Sequence, residues 1–176
     1  MPAGERIVIV EDARELAPAH PHVVRLEGRP ANSEGAGAVT LTTLVRQALR
    51  MRPDRLVVGE VRGAEVADLL AALNTGHEGG CGTVHANAPA SVPARLEALG
   101  ALAGLSRTAL HAQVAAALDA VVHVRRGPQG RRWVESIGVV VAGADAVVAV
   151  VPALTWPSEG GEVRGPGFAA LAALVA

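Results

Sequence analysis

The sequence predicts an α/β domain built on a mostly parallel sheet with flanking helices, and three observations lead to that prediction. Apolar, β-branched runs alternate along the chain with segments whose apolar residues recur at helical spacing. Two of these runs, residues 6–10 and 56–59, are each followed directly by acidic residues. Continuous apolar runs are typical of buried parallel strands, whose carboxyl ends meet at one edge of a sheet. We therefore expect the acids to lie along one crevice.

The individual elements follow from the same patterns and from residues that start or stop them. Thr40 and Ser106 are suitable N-caps, whereas Pro53 and Gly76 end the helices that precede them. The Gly-rich and Pro-rich stretch 28–39 predicts a loop. The predicted strands are 6–10, 22–26, 56–60, 82–85, 120–125, 133–141 and 146–151, and the predicted helices are 41–52, 64–74, 93–103 and 106–118.

The last two predicted strands form a β-hairpin around residues 143–145. Beyond Pro152 the Gly and Pro content rises, which predicts a loosely attached tail. The expected organisation is therefore one domain over residues 1–152 and a tail over 153–176.

Composition excludes several functional classes. The formal net charge is −1 and the charges are interspersed, which argues against a sequence-independent nucleic-acid binder. The most apolar stretch, 137–154, is interrupted by Gly143, Asp145 and Pro152, so no transmembrane segment is expected. One cysteine cannot form an internal disulfide, so a reducing compartment fits without being required, and the first six residues hold no apolar signal core, so secretion is not expected.

The acids that follow the two strands are the first candidates for chemistry. A carboxylate at a strand end can orient the waters of a phosphate-bound magnesium ion, and a second carboxylate can polarise the attacking water. Glu60 is the preferred residue for this role, together with Glu11 and Asp12. Arg62 lies where a guanidinium could stabilise phosphoryl charge. The alternative is that these are solvated strand ends and a surface arginine.

The glycine-rich segment 75–87 is the second candidate. It contains His77, Cys81 and His85, and its glycines oppose the helix that a His-Glu-x-x-His zinc site needs. A glycine loop with histidines beside a crevice suits phosphate sensing. Histidines bonded to nearby backbone, and a small zinc hydrolase that uses these three residues, remain alternatives.

Together these segments resemble the type II/IV secretion ATPases, in particular the branch that assembles tight-adherence (Flp) pili. The motifs follow one another in the family's order over residues 6–140. Residues 11–16 look like the aspartate box, 29–32, 34–35 and 49–55 look like linking segments, Val58-Gly59-Glu60-Val61-Arg62-Gly63 is similar to the atypical Walker B motif, and 74–87 looks like the histidine box.

The resemblance implies the C-terminal half of a RecA-like P-loop NTPase core, which uses ATP and Mg²⁺ in a hexameric ring. It also implies a location on the cytoplasmic side of the inner membrane, peripheral to it, with pilus or secretion platform proteins as partners. The implied site residues are Glu60 and Glu11 for catalysis, Asp12 with Glu60 for magnesium and water, and Arg62, His77 and His85 for phosphate sensing.

The sequence departs from the family in one respect. The P-loop, Gly-x-x-x-x-Gly-Lys-Ser/Thr, is absent, and the chain contains no lysine at all. A P-loop binds phosphates through backbone N–H groups and its lysine. We therefore expect a fragment of a motor subunit that does not hydrolyse ATP by itself, with a non-catalytic interaction module as the alternative.

Overall fold

The computed structural model describes residues 1–76, 79–127, 130–158 and 160–176. Within these ranges the chain forms eight strands and five α-helices. The strands are β1 (Ile7–Glu11), β2 (Val23–Glu27), β3 (Arg55–Val58), β4 (Cys81–Gly82), β5 (Ala120–Arg126), β6 (Arg132–Ala142), β7 (Val148–Thr155) and β8 (Val163–Arg164). The helices are α1 (Leu41–Arg50), α2 (Glu65–Leu73), α3 (Val92–Leu102), α4 (Arg107–Ala117) and α5 (Phe168–Leu174).

The chain divides into two compact units. The first comprises Met1–His85 and Leu99–Leu105, and the second comprises Ala86–Ala98 and Ser106–Ala176. This division differs from the expected single domain over residues 1–152.

The first unit contains a four-stranded sheet in the order β2-β1-β3-β4, in which every neighbouring pair is parallel. All five residues of the central strand β1 are buried, as its β-branched sequence predicts. The register pairs Glu11 with Glu27 and Val10 with Val58, so the carboxyl ends of three strands share one edge. The predicted parallel arrangement is confirmed for this sheet.

Helices α1 and α2 pack against each other beside this sheet, and α1 contacts β1, β2 and β3. The Thr40 hydroxyl caps α1 by accepting the N–H of Thr43 at 3.2 Å, as predicted. The buried residues of α1 recur at helical spacing and are Leu41, Leu44, Val45 and Ala48. Elsewhere in the unit, an apolar hollow of about 320 Å³ is lined by Met1, Ile7, Ile9, Leu16, Ala17, Pro18 and Val57.

The second unit contains an antiparallel sheet in the order β5-β6-β7-β8. The predicted hairpin around residues 143–145 is present as the β6–β7 turn, where Asp145 accepts the N–H of Val147. However, these strands form a sheet of their own and do not extend a mostly parallel sheet. The physical reason is connection length, because strands joined by short turns pair antiparallel, whereas parallel strands need a crossover.

The segment expected as a loose tail contains ordered structure. β7 continues through Pro152 to Thr155, β8 pairs with it, and α5 contacts β6 and β7. Proline removes a ladder donor and predicts a strand end, but Pro152 lies beside a register shift between Ile137 and Gly138. Gly165 lies so close to Pro152 that a Cβ at position 165 would overlap the Pro152 carbonyl oxygen.

A buried histidine joins three elements of the second unit. Ser106 caps α4 as predicted, and one turn later His111 is 3 % exposed. Its Nδ1 accepts the N–H of Val148 at 3.0 Å, and its Nε2 lies 2.8 Å from Oε1 of Glu97. The backbone donor assigns the neutral tautomer with its proton on Nε2, which then donates to Glu97.

The Glu97 carboxyl should make the free energy of unfolding depend on pH in the acid range. Hydrogen bonds from His111 and then from Arg107 hold the pKa of the Glu97 carboxyl below its ordinary value of 4.5. A depressed pKa contributes stability that is present above the unfolded value and is lost as the pH falls through the folded value. Urea unfolding at pH values from about 6 to 3 should show a steeper loss of stability for the wild type than for Glu97→Gln.

The control is Glu162→Gln, which removes an exposed carboxylate paired with Arg164 at 3.2 Å. Its pH profile should follow that of the wild type. Parallel profiles for the wild type and Glu97→Gln would contradict the assigned role of Glu97.

Candidate functional site

The ends of β1 and β3 meet in a close contact between a side chain and a glycine. The N–H of Gly59 donates to the carbonyl of Val10 at 2.8 Å, which continues the ladder beyond β3. A Cβ on Gly59 would lie 2.8 Å from Cγ of Glu11. The Glu11 side chain therefore lies directly over Gly59, and any side chain at this position would displace it.

The Glu11 carboxylate is almost fully buried and is engaged by backbone. Glu11 is 5 % exposed, and its Oε1 accepts the N–H groups of Glu15 at 3.1 Å and Leu16 at 2.9 Å. These bonds fold the start of the loop that follows β1. One oxygen of this candidate catalytic carboxylate is thus committed to holding the loop.

Asp12, the next residue, forms an ion pair across the same edge. Its Oδ2 contacts Nη2 of Arg62, and both side chains are partly exposed. Gly28, at the end of β2, leaves room for Asp12, since a Cβ there would lie 3.1 Å from Oδ1. The pair connects the loops after β1 and β3.

Glu60 faces His85, the residue predicted to lie near it. Nε2 of His85 is 3.3 Å from Oε1 of Glu60, with the histidine side chain 85 % exposed. The backbone fixes this pairing, because the N–H of Val61 donates to the carbonyl of Thr83 at 2.8 Å and the Thr83 hydroxyl donates to the carbonyl of Gly59. The loop after β3 and the segment after β4 are therefore joined on both sides of Glu60.

The predicted site residues within the described ranges thus gather at one edge of the parallel sheet. Glu11, Asp12, Glu60, Arg62 and His85 all belong to the first unit. His77 lies outside the described residues, so its predicted place beside the crevice stays a prediction.

Glu65 belongs to this arrangement, although the sequence analysis did not select it. Its side chain is 5 % exposed, and its Oε1 accepts the N–H groups of Arg62 and Gly63, both at 2.7 Å. A Cβ on Gly63 would lie 2.9 Å from Oε2 of Glu65, so the turn closes tightly on the carboxylate. Glu65 starts α2, where the helix dipole favours a negative charge.

No sequence signal marked this role of Glu65. The residue before α2 is Ala64, which has no side-chain acceptor, and the N–H groups that Glu65 accepts belong to Arg62 and Gly63, which precede the helix. A turn that folds back onto a later carboxylate has no local pattern of its own.

Metal ligation by side chains alone finds no support in the described part of the chain. No group of three or more His, Cys, Asp or Glu residues there could hold a metal ion. The zinc trio of His77, Cys81 and His85 includes a residue outside the described ranges, so this statement does not extend to it. Cys81 is exposed in β4.

Comparison with known proteins places the chain in a family. The model described as "Type II/IV secretion system protein" matches residues 1–137. The chain belongs to the type II/IV secretion system protein family. Among the described residues of this family member, no helix combines the length and apolar character needed to cross a membrane.

Two relatives and one solved structure show which named proteins of this family the chain resembles. A putative conjugal transfer protein of Mycobacterium tuberculosis is 64% identical over 157 residues, which is 89% of this chain and 44% of that protein. The type IV secretion system protein PtlH of Bordetella pertussis is 42% identical over 142 residues, 75% of this chain and 41% of that protein. The VirB11 ATPase of the Brucella suis type IV secretion system, solved in complex with sulphate, is 30% identical with a TM-score of 0.64, over 79% of this chain and 42% of that chain.

This family member therefore spans less than half the length of the relatives it matches. These relatives are conjugal-transfer and type IV secretion proteins. The tight-adherence branch expected from the motifs is a narrower assignment than they support.

Gly59→Ala tests the close contact at the strand ends. The added Cβ forces Glu11 away and breaks its bonds to the amides of Glu15 and Leu16. We expect a loss of about 1–3 kcal/mol in the free energy of unfolding, which is typical of overpacking a tight site. Faster hydrogen exchange at those two amides would accompany it.

The matched control is Gly161→Ala, where an added Cβ meets nothing within 4 Å. Its unfolding free energy and exchange rates should stay close to those of the wild type. Equal effects of the two substitutions would refute the contact.

Glu65→Ala tests the buried carboxylate at the start of α2. It leaves the N–H groups of Arg62 and Gly63 without their acceptor. The expected loss is about 1–3 kcal/mol, measured by urea unfolding.

Asp68→Ala in the same helical turn is the comparison. It removes an ion pair with Arg46, whose side chain is 65 % exposed and screened by solvent, so it should lower the free energy of unfolding by less than Glu65→Ala does. A larger loss for Asp68→Ala than for Glu65→Ala would contradict the structural role of Glu65.

Proposed function

We propose that this chain is part of an ATP-hydrolysing motor subunit that powers conjugal transfer, secretion or pilus assembly. On this proposal it corresponds to the C-terminal half of a RecA-like P-loop NTPase core. The observation that carries the proposal is the gathering of Asp12, Glu60, Arg62 and His85 at the carboxyl edge of a parallel sheet, where open α/β sheets bind their ligands. Family membership supports it, as does the ATPase description of the VirB11 relative.

Glu60 is the proposed catalytic carboxylate. It lies two residues after the end of β3, its side chain is 39 % exposed, and Nε2 of His85 lies 3.3 Å from its Oε1. The role of this carboxylate is to orient a water molecule for attack on a terminal phosphate, in line with the leaving oxygen. Removal of this acceptor leaves the water unoriented.

Asp12 and Glu60 are also the proposed carboxylates for magnesium. Mg²⁺ keeps several waters and needs only one or two carboxylates when a substrate supplies phosphate oxygens. Two partly exposed carboxylates at one edge fit that requirement. When bound, the ion neutralises charge on the phosphate oxygens.

Glu11 has a supporting part in this proposal. Its Oε1 is occupied by two backbone donors, and its position over Gly59 holds the loop that carries Asp12. Glu11 therefore acts on magnesium and water chiefly through its neighbours, with Oε2 as its remaining acceptor.

Arg62, His77 and His85 are the proposed phosphate sensors. Arg62 is paired with Asp12, so a phosphate group would compete with a carboxylate for the same guanidinium. His85 is highly exposed and can donate from Nε2 to a phosphate oxygen or to Glu60. The sulphate in complex with the VirB11 relative is a tetrahedral oxyanion of the same shape as phosphate.

The remaining parts of the proposal concern the whole protein. ATP binding would require a P-loop that this sequence does not contain, so this chain alone does not hydrolyse ATP. The apolar hollow beside Ile9 and Val57 fits a parallel sheet on which additional residues of the whole protein pack.

We propose that the whole protein forms a hexameric ring on the cytoplasmic side of the inner membrane, peripheral to it, with secretion or pilus platform proteins as partners. The tight-adherence branch is one candidate system.

ATP turnover by a longer product tests the proposal. We expect the DNA before the Met1 codon to encode, in frame, a P-loop with its lysine. The extended protein should hydrolyse ATP in the presence of Mg²⁺, and Glu60→Gln should lower kcat by at least about 100-fold while nucleotide binding persists. The 176-residue chain should show no turnover.

Glu162→Gln in the extended protein serves as the control for loss of one carboxylate and should keep full activity. A stop codon directly upstream, or turnover that is unchanged by Glu60→Gln, would overturn the proposal.

A non-catalytic interaction module is the alternative that the missing lysine favours. Copurification of the 176-residue chain with a full-length relative, without turnover, would support that role. Zinc analysis of the same preparation tests the hydrolase that uses His77, Cys81 and His85, because that enzyme requires stoichiometric metal.

A further inference from the structure

One face of the β5–β6 hairpin combines exposed valines with arginines. The register pairs Val124 with Val134 and Arg126 with Arg132, and Val122 lies two residues before Val124 on the same face of β5. Val122 is 56 % exposed, Val124 54 % and Val134 40 %, and both arginines are exposed. These five residues are called the valine–arginine face below.

The two arginines of this face lie directly opposite each other. Like charges at opposed positions of an antiparallel pair destabilise it. Arg131, the neighbour of Arg132, adds a third exposed positive charge. None of these three arginines forms an ion pair with an acid within the part of the chain that the structure describes. The face therefore carries positive charge for which the described part of this unit supplies no counterion.

The charged side chains of the opposite face lie close to one another within the hairpin. Arg125 forms an ion pair with Glu135, and Nδ1 of His123 lies 3.0 Å from Glu135 Oε2. The Trp133 ring packs on Gly127, where a Cβ would lie 2.7 Å from Cζ3 of the ring. The usual alternation is thus inverted, since a histidine and a carboxylate are half-buried while three valines face solvent.

We propose that the valine–arginine face docks on the surface of an anionic lipid bilayer. Guanidinium groups bind lipid phosphates through paired hydrogen bonds, and short apolar side chains between them can enter the headgroup region. An acidic protein surface would neutralise the arginines, but its acidic residues would not contact the valines favourably. A bilayer offers phosphates to the arginines and an apolar region to the valines. A second copy of this face would bring Arg126 and Arg132 against the same arginines, which like-charge repulsion opposes.

This inference rests on the membrane-peripheral location proposed above and gives it a contact surface. It uses no nucleotide chemistry, so its test can fail while the ATPase proposal stands, and the reverse also holds.

Cosedimentation of the 176-residue chain with lipid vesicles tests whether the arginines of the valine–arginine face contribute to binding. The chain should bind vesicles of phosphatidylcholine with about one-third phosphatidylglycerol and should not bind pure phosphatidylcholine. Salt at about 1 M should release it, because the Debye length falls to about 3 Å. The double variant Arg126→Gln/Arg132→Gln should weaken the partition coefficient by about fivefold for each arginine.

The matched control removes two exposed arginines of the first unit, Arg14→Gln/Arg50→Gln, with the same change in net charge. It should bind nearly as well as the wild type. Equal weakening by the two double variants would show attraction by net charge alone and would overturn the docking face.

A second pair of variants tests the apolar part without removing charge. Val124→Thr/Val134→Thr keeps β-branched side chains and should reduce vesicle binding, whereas Val163→Thr, also at an exposed valine in β8, should not. Circular dichroism and urea unfolding establish that each variant is folded. Absence of binding to anionic vesicles at low salt, or a dimer in light scattering that Val124→Thr/Val134→Thr abolishes, would overturn the proposal.

Discussion

The candidate site depends on the contact between Gly59 and the side chain of Glu11. A residue with a Cβ at position 59 would overlap Cγ of Glu11, so the two strand ends can meet only because this residue is glycine. The contact brings the loops after β1 and β3 within reach of each other, and the Asp12–Arg62 ion pair then spans them. Without this approach the acids would still end their strands, but their loops would be held apart.

Burial divides the four acids of this edge into two kinds. Glu11 and Glu65 are each 5 % exposed and accept backbone N–H groups, which fixes the loop after β1 and the turn before α2. Asp12 and Glu60 are partly exposed and face the cationic or histidine side chains Arg62 and His85. A buried carboxylate surrounded by donors stabilises a backbone shape, whereas an exposed one can exchange its partner for a ligand. Sequence alone cannot separate the two kinds, because all four lie at, or within two residues of, the end or start of a regular element.

Elements that depend on residues close together in the chain were predicted from the sequence. Features that depend on contacts between distant parts of the chain were not. The β-branched run of β1 and the caps Thr40 and Ser106 act through neighbours in the chain, so their elements were predictable. Pro152 was expected to end a strand, yet a register shift in the partner strand accommodates it, and no pattern around Pro152 encodes that shift. Glu65 was missed for a related reason, since its role depends on a turn that folds back onto it. The second sheet was missed because apolar runs do not reveal which strands they pair with.

The described hydrogen bonds and ion pairs that hold the candidate site lie within residues 10–85. Gly59 bonds to Val10, Val61 to Thr83, and Glu65 to the turn at Arg62, so the described contacts that place Glu60 come from this part of the chain. On the proposed function, the entropy of ordering these side chains is then lost on folding and not on nucleotide binding. A P-loop from further chain would have to supply a phosphate cradle and a lysine, but it would meet carboxylates that are already in position. Preorganisation of this kind favours the transition state, because the acceptors do not have to reorient when charge develops on the phosphate.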